Sequence, residues 1–303
     1  MGLAQTLALL FAARIIDGIT GGNISTALAY IADITPPEDR SRRMGLVGAA
    51  FGMGLIFGPA IGGLLSHVSL GAPFLFAAAM AAANAVAVYL FLPESLPAHR
   101  RQQAQARPPL AEVLRSSQGA PLLLILATYF FATTAFSLLT ATYSLFTQHR
   151  FGLGPTQNGY IFAGQGVIGA VIQGGLLWWL VRLASDKRLT IAGTAILGLS
   201  LFLLPASSTM MWLLLATAGV AVGHGLVAAP LNGMASKSVG ALAQGRVLGL
   251  MQSAGSLARI VGPVAGGWLL NYDAMHLVDS FGRSPYWLGG VLMIVACVLA
   301  ANL

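Results

Sequence analysis

Arg14 and Asp17 are the residues with the clearest capacity for chemistry, because both are ionisable and lie inside an apolar segment. A charge at the middle of a bilayer is costly, so such residues usually face an aqueous cavity or a partner. Their spacing of three places both side chains on one helix face. The arginine favours the ionised carboxylate, for which a proton or a cationic substrate would compete. The pair is predicted to couple proton binding to a conformational change; the alternative is a static ion pair near the helix end.

The face that carries this pair continues with small and polar residues: Gly18, Gly21, Gly22 and Ser25. A polar, glycine-rich stripe is typical of a helix that lines a cavity. Arg259 is a second charge inside an apolar segment, and it is expected either to contact substrate or to pack against a backbone carbonyl. The candidates for proton coupling or substrate contact are Arg14, Asp17, Asn23 and Arg259.

The chemistry of an enzyme is not indicated. The five histidines are scattered without the spacing of metal ligands, and no phosphate-binding loop is present in the sequence. The net charge of +7 is not gathered into a basic groove with aromatic residues, so nucleic acid is not an expected partner. We therefore expect a protein that is not an enzyme, with no cofactor and no metal site.

Composition indicates a membrane protein. Of the 303 residues, 56% are hydrophobic and only 8% are charged, whereas soluble domains are about a quarter charged. A spanning helix needs about 20 mostly apolar residues and satisfies its own backbone hydrogen bonds in lipid. The sequence predicts an all-α polytopic membrane protein with nine spans, near residues 4–33, 43–66, 72–92, 119–147, 157–181, 189–206, 209–236, 245–271 and 285–303.

The basic residues alternate between the connections. Twelve of the 16 Lys and Arg residues lie in or beside the connections that follow the first, third, fifth and seventh spans. Positive charge marks cytoplasmic loops, so the N-terminus is predicted outside and the C-terminus inside. The polar stretch 93–118 is predicted to be a cytoplasmic linker between residues 1–92 and a C-terminal bundle over 119–303.

An internal repeat relates the two ends of the chain. Residues 45–65 match residues 249–269 at nine of 21 positions, among them a Gly-Pro pair and a Gly-Gly pair. The copies lie in the second and eighth spans, so the repeat unit is six helices in the same orientation. The second unit fills spans four to nine. The repeat therefore predicts that three N-terminal helices are absent, with an intact nine-helix protein as the alternative.

Both copies of the repeat are rich in residues that helices tolerate poorly. Glycines at a spacing of four form a smooth strip on which another helix can pack closely, and the prolines permit a bend. A matched bend in both halves suits two bundles that slide past each other; packing alone is the alternative. The motif residues are Gly54, Gly58, Pro59, Gly62, Gly63, Gly262, Pro263, Gly266 and Gly267.

Several stretches resemble the major facilitator superfamily, and more narrowly its twelve-helix drug:proton antiporters of the tetracycline-efflux type. "RIIDGITGG" is similar to the family's arginine motif in helix four, although Asp17 stands at the usual glutamine position. "GMGLIFGPAIGG" resembles the antiporter motif of helix five, and "LPES" and "GSLARIVGPVAGG" also resemble that group. The resemblance implies the major facilitator fold, with nine of its twelve transmembrane helices present.

The resemblance also implies a central cavity between two bundles. Hydroxyl, amide and aromatic side chains there suit amphipathic organic substrates, although hydroxyls in spanning helices also commonly bond to backbone. The residues implied to line the cavity are Thr133, Ser137, Tyr143, Gln165, Gln173, His224 and Asn232. Asp33 and Arg40 are implied to form a cytoplasmic gate, with a solvated loop as the alternative.

The expected function is secondary active transport, with proton-coupled efflux of drugs or other amphipathic small molecules by alternating access. An uptake or metabolite or sugar facilitator of the same superfamily, and a transport-inactive fragment, are the alternatives. The expected partners are a small-molecule substrate, protons and the lipid bilayer. We expect a monomer in the cell membrane, and a bacterial inner membrane in particular.

Overall fold

The computed structural model describes residues 2–4, 6–21, 23–69, 71–95, 119–240, 243–276 and 281–303. Within these ranges the regular structure is entirely helical, which confirms the all-α prediction. The helices are α1 Leu7–Thr20, α2 Asn23–Asp33, α3 Arg40–Ser66, α4 Ala72–Phe91, α5 Gly119–Phe151, α6 Pro155–Val171, α7 Leu177–Leu183, α8 Asp186–Leu203, α9 Met210–Lys237, α10 Gln244–His276 and α11 Arg283–Ala301. Short 3₁₀ turns cover Pro37–Asp39 and Leu204–Ala206, and a π-helical turn, Ile172–Leu176, joins α6 to α7.

The spans follow from runs of apolar residues. In the part of the chain that the structure describes, eight helical stretches are long and apolar enough to cross a membrane. In addition, α3 has 27 residues and, at about 1.5 Å per residue, reaches about 40 Å. All nine predicted spans therefore coincide with helices. The predicted linker 93–118 falls mostly outside the described residues, so the division into domains stays a prediction.

The first span differs from its prediction as one helix. It is interrupted at Gly21, which ends α1 with its N–H donating to the carbonyl of Gly18 at 3.4 Å, and α2 begins at Asn23. Glycine has the largest backbone entropy cost of the residues in a helix, so the helix is least stable at the consecutive glycines of this span. The break divides the predicted stripe on this span between two helices.

Helix starts show local capping. The hydroxyls of Thr6, Ser185 and Thr209 accept hydrogen bonds from the N–H groups of Leu9, Arg188 and Trp212, respectively. Each satisfies one of the four donors that a helix N-terminus leaves free. These caps fix the beginnings of α1, α8 and α9.

The main core lies in the C-terminal half, which we define as α5–α11. There α5 packs on α10 and α11, and α8 packs on α9 and α11. Close packing depends on glycine: a Cβ on Gly262 would lie 2.7 Å from the carbonyl oxygen of Thr134 and 2.8 Å from the backbone nitrogen of Leu138. Since those atoms are backbone, α10 approaches α5 this closely only because position 262 has no side chain.

The N-terminal half, defined as α1–α4, is attached through α2 and α3. Leu28 and Ala32 of α2 and Met44 of α3 form a small buried cluster with Leu248 of α10. By contrast, α1 and α4 contain no buried residue among those described.

Contact between the halves is tightest where α3 crosses α6 and the π-helical turn. A Cβ on Gly52 would lie 2.7 Å from the carbonyl oxygen of Gly166 and 3.0 Å from the backbone nitrogen of Ala170. Gly45 is similarly close to the carbonyl oxygen of Gln173. Gly45 and Gln173 lie towards the side that the charge pattern predicts to be cytoplasmic, whereas Gly52 and Gly166 lie near the middle of their spans, in the wall of a cavity described below.

Candidate functional site

A cavity of about 370 Å³ lies between the two halves. Its walls come from α2 and α3 of the N-terminal half and from α5, α6, the π-helical turn, α9 and α10 of the C-terminal half. Its size is in the range of pockets that hold drug-sized molecules. The structure places seven of the predicted site residues in its walls: Thr133, Ser137, Gln165, Gln173, His224, Asn232 and Arg259.

Arg259 provides the charge of this cavity. The other lining residues are apolar or polar and uncharged, apart from the imidazole of His224. The guanidinium Nη2 donates to Ser256 Oγ at 3.3 Å. The Tyr129 hydroxyl, another wall group, bonds to Arg259, Gln252 and Thr133. The partners of the arginine at this site are therefore neutral hydroxyls.

An aromatic pair forms another part of the wall. The rings of Phe136 on α5 and His224 on α9 stack with centroids 3.8 Å apart and planes inclined by 12°. Both residues line the cavity. The pair offers a flat π surface beside the hydroxyls of Thr133 and Ser137, which is the mixture of surfaces that an amphipathic molecule needs.

Two amide groups in the walls lack hydrogen-bond partners. Gln165 Nε2 and Asn232 Oδ1 are buried, and each is unbonded in the described part of the chain. The orientation of Asn232 is fixed because its Nδ2 donates to the carbonyl oxygen of Ala228 at 2.8 Å. The cavity walls therefore contain one unpaired buried acceptor and one unpaired buried amide nitrogen.

Other predicted site residues lie away from this cavity. Tyr143 is fully buried, and its hydroxyl bonds to Thr217 Oγ1 at 2.7 Å inside the core. Arg14 Nη1 and Asp17 Oδ2 are 3.7 Å apart, but both side chains are more than two-thirds exposed, at 69% and 68%. Asn23, at the start of α2, is also exposed. The structure thus separates the Arg14–Asp17 pair and Asn23 from Arg259.

The two predicted gate residues also have different partners. Asp33 accepts a hydrogen bond at 2.9 Å from Ser95, which follows α4 at the start of the predicted linker. Arg40 instead reaches the other half, where its Nη1 donates to the carbonyl oxygen of Ser236 at 3.3 Å. With the Gln244 amide rotated, its oxygen accepts from both terminal nitrogens of Arg40 at 3.0 Å.

A neighbouring contact across the halves was missed by sequence reasoning. Lys237 Nζ lies 2.6 Å from Asp186 Oδ2 and 3.5 Å from Ser41 Oγ, so it links α8, α9 and the start of α3. The two charges stand at helix ends in predicted cytoplasmic connections, which is also where ordinary topology signals occur. No spacing in the sequence distinguishes a charge that joins the two halves from a charge that only marks a cytoplasmic loop.

Gln252 was also missed as a wall residue, although a signal for it exists. It lies seven residues before Arg259, which is two helical turns along the same face of α10. Because a polar amide lies on the same helix face as an intramembrane arginine, the sequence could have predicted that both residues line the same cavity.

The two copies of the glycine motif have different surroundings. A Cβ on Gly54, Gly58 or Gly62 would meet nothing within 4 Å, and the same holds for Gly267. Gly262 and Gly266 pack against α5, and Pro263 lies inside α10. Pro59 and Gly63 belong to α3, but their surroundings fall outside what the structure describes.

Comparison with known proteins is consistent with this architecture. The sequence profile of the Major Facilitator Superfamily matches residues 1–263. The chain is 32% identical to the class D tetracycline resistance protein of Salmonella ordonez, covering 99% of this chain and 75% of that protein. It is 34% identical to the class C tetracycline resistance protein of Escherichia coli, covering 99% and 74%.

A solved structure is similar to this one over nearly the whole chain. The crystal structure of the human organic anion transporter MFSD10 superposes with a TM-score of 0.83 at 25% identity, covering 99% of this chain and 72% of that one. Since the family consists of transporters, the prediction that the chain is not an enzyme is confirmed. The chain belongs to the major facilitator superfamily, in the group that includes tetracycline resistance proteins, and is a multi-pass protein of the bacterial cell membrane.

Proposed function

We propose that this secondary transporter exports drugs or other amphipathic small molecules in exchange for protons, by alternating access between its two halves. The observation that carries the proposal is the cavity bounded by both halves, with hydroxyl, amide and aromatic groups in its walls. Relatives that are named tetracycline resistance proteins support export rather than uptake.

Alternating access requires a contact between the halves that forms and breaks. The crossing of α3 with α6 and the π-helical turn supplies such a contact, which runs from the cavity wall at Gly52 to the predicted cytoplasmic side at Gly45 and Gln173. The bonds from Arg40 to Ser236 and from Lys237 to Ser41 lie on that side as well. Breaking these few polar contacts and separating two smooth glycine surfaces would open the cavity towards the cytoplasm.

Asp17 is proposed to carry the transported proton. Of the described acidic residues, it lies nearest the middle of a spanning segment, and Arg14 is its ion-pair partner. Protonation would remove the carboxylate charge and release the arginine. Its exposed position, away from the cavity, means that coupling would act through the movement of α1 rather than through contact with substrate.

Uptake by everted membrane vesicles that contain the full 303-residue chain tests the function. Tetracycline and ethidium serve as probes, with and without a proton gradient. Gradient-dependent accumulation of at least one of the two probes is expected. Accumulation that ignores the gradient would identify a facilitator, and no movement of either probe in either direction would contradict the export proposal.

We expect Asp17→Asn to remove the dependence of export on the proton gradient, because an amide cannot bind and release a proton. The matched control is Asp17→Glu, which keeps the carboxylate and should retain gradient-driven uptake. The measurement is initial uptake rate against external pH in everted vesicles, at equal amounts of protein. If Asp17→Asn responds to pH as the unsubstituted chain does, Asp17 is an ion-pair residue without a coupling role.

A further inference from the structure

We propose that the cavity selects amphipathic organic anions and that Arg259 is the group that binds their acidic moiety. This inference rests on the proposed export function and deepens it by naming the substrate class. Its basis is the chemistry of the cavity walls: one fixed positive charge, two unbonded buried amide atoms and an aromatic pair.

The first step concerns charge. Arg259 is the one permanently charged side chain among the described lining residues, and none of those residues carries a carboxylate. An arginine within a spanning helix is costly unless it meets an opposite charge or water. Its described partners, Ser256 and Tyr129, are neutral. The cavity therefore holds a positive charge whose counter-charge is not supplied by its own walls.

The second step concerns geometry. A guanidinium is a planar fork of donors that matches a carboxylate, sulfonate or phosphate with two parallel hydrogen bonds. The bond from Arg259 to Ser256 uses Nη2. Together with the bond to Tyr129, it still leaves further N–H groups of the guanidinium for an oxyanion. A cationic ligand would meet the charge of Arg259 without a compensating acid among the described walls.

The third step concerns the buried amides. The side chains of Gln165 and Asn232 belong to residues that are 8% and 7% exposed, and each has an unbonded polar atom. Buried polar groups without partners are uncommon in proteins because desolvating them is costly. Both residues line the cavity. A ligand that offers an acceptor to Gln165 Nε2 and a donor to Asn232 Oδ1 would satisfy both.

The aromatic pair completes the set. Phe136 and His224 present stacked rings to the same space. An aromatic ligand can pack on such rings, which adds apolar contact to the polar bonds. The walls thus fit an aromatic acid with hydrogen-bonding substituents better than a neutral hydrocarbon or an organic cation.

Three naphthalene compounds of similar size test this selectivity: naphthalene-1-sulfonate, neutral 1-naphthamide and the trimethyl-1-naphthylammonium cation. The two ions keep their charge at every accessible pH, so changes of pH do not alter their speciation. We expect energised everted vesicles to take up the sulfonate with the largest kcat/KM. Arg259→Gln should lower that value at least about tenfold, the loss expected for a charge-assisted hydrogen bond, while leaving 1-naphthamide within about twofold.

Two further variants separate the role of Arg259 from general effects of charge. Arg283→Gln is the matched control, because Arg283 lies over the Trp287 ring, outside the cavity walls, and it should leave the preference intact. Arg259→Lys keeps the charge but loses the planar fork, so it should retain part of the sulfonate uptake. Direct binding of the three probes to the unsubstituted chain in lipid nanodiscs gives the charge preference even where a variant fails to fold.

The outcomes distinguish failure of this inference from failure of the proposed export function on which it rests. Preference for the cation or the amide, or sulfonate uptake that Arg259→Gln leaves unchanged, overturns anion selectivity while gradient-driven export of tetracycline or ethidium still stands. Failure of all three naphthalene probes alongside export of tetracycline or ethidium overturns the inference alone. Failure of every probe in vesicles, together with no sulfonate preference in nanodiscs, overturns both.

Discussion

Gly262→Leu is expected to destabilise the C-terminal half severely, whereas the same change at Gly58, its counterpart in the repeat, is expected to leave the stability of the chain nearly unchanged. At Gly262 the first added carbon would lie 2.7 Å and 2.8 Å from backbone atoms of α5. Backbone atoms cannot rotate away, so α5 and α10 must separate. We expect a loss of about 3 kcal/mol, the upper end for an overpacked core.

The environment of Gly58 is open. A Cβ there would meet nothing within 4 Å, so a leucine is accommodated at a cost within about 0.5 kcal/mol. Unfolding of both purified variants in detergent, followed by tryptophan fluorescence, measures the difference. Equal losses for the two variants, or a stable Gly262→Leu protein, would contradict the assignment of close packing to the second copy alone.

The two variants also separate packing from transport. Gly58→Leu keeps the fold but places a large side chain on the face that the repeat predicts to slide during transport. We therefore expect reduced uptake of tetracycline by vesicles that contain normal amounts of folded protein. Transport equal to that of the unsubstituted chain would mean that the first glycine strip has no part in the moving interface.

This pair also shows where prediction from the sequence stops. Gly58 and Gly262 occupy equivalent positions in the two copies of the repeat, and the sequence predicts a helix-packing strip for both. Whether a strip is occupied depends on which helix lies opposite it, which is a property of the assembled fold rather than of either motif. The spans themselves were predictable because a run of about 20 apolar residues has few alternatives to a membrane helix.

The candidate site was predictable to the extent that polarity inside a span is unusual. Gln165, Asn232 and Arg259 stand out for this reason, and the structure brings them into one cavity. Tyr143 has the same signature, yet its hydroxyl is satisfied by Thr217 inside the core. A polar side chain in a span needs a partner, and the sequence does not reveal whether that partner is a neighbouring helix or a ligand.

Gly52→Leu is expected to hold the predicted cytoplasmic end of the molecule open. A Cβ at Gly52 would lie 2.7 Å from the carbonyl oxygen of Gly166 and 3.0 Å from the nitrogen of Ala170. Both are backbone atoms of α6, so α3 and α6 cannot approach as they do in this structure. The contact joins two halves rather than the inside of one, so the cost falls on closure more than on folding. An overpacking penalty of about 1–3 kcal/mol shifts a two-state equilibrium by roughly five- to 150-fold.

The accessibility of Met44 reports this opening, because the residue is 2% exposed within the cluster that joins α2, α3 and α10. Met44→Cys is made in a background with Cys297→Ser, which removes the natural cysteine. In the Gly52→Leu protein a membrane-impermeant maleimide applied from the cytoplasmic side should label Cys at this position at least about fivefold faster.

The control is Gly54→Leu, since a Cβ at Gly54 would meet nothing within 4 Å, and it should leave the labelling rate unchanged. Equal rates for both variants would show that the crossing of α3 with α6 does not close this end. Faster labelling only with Gly52→Leu would identify the crossing as a contact that closes this end.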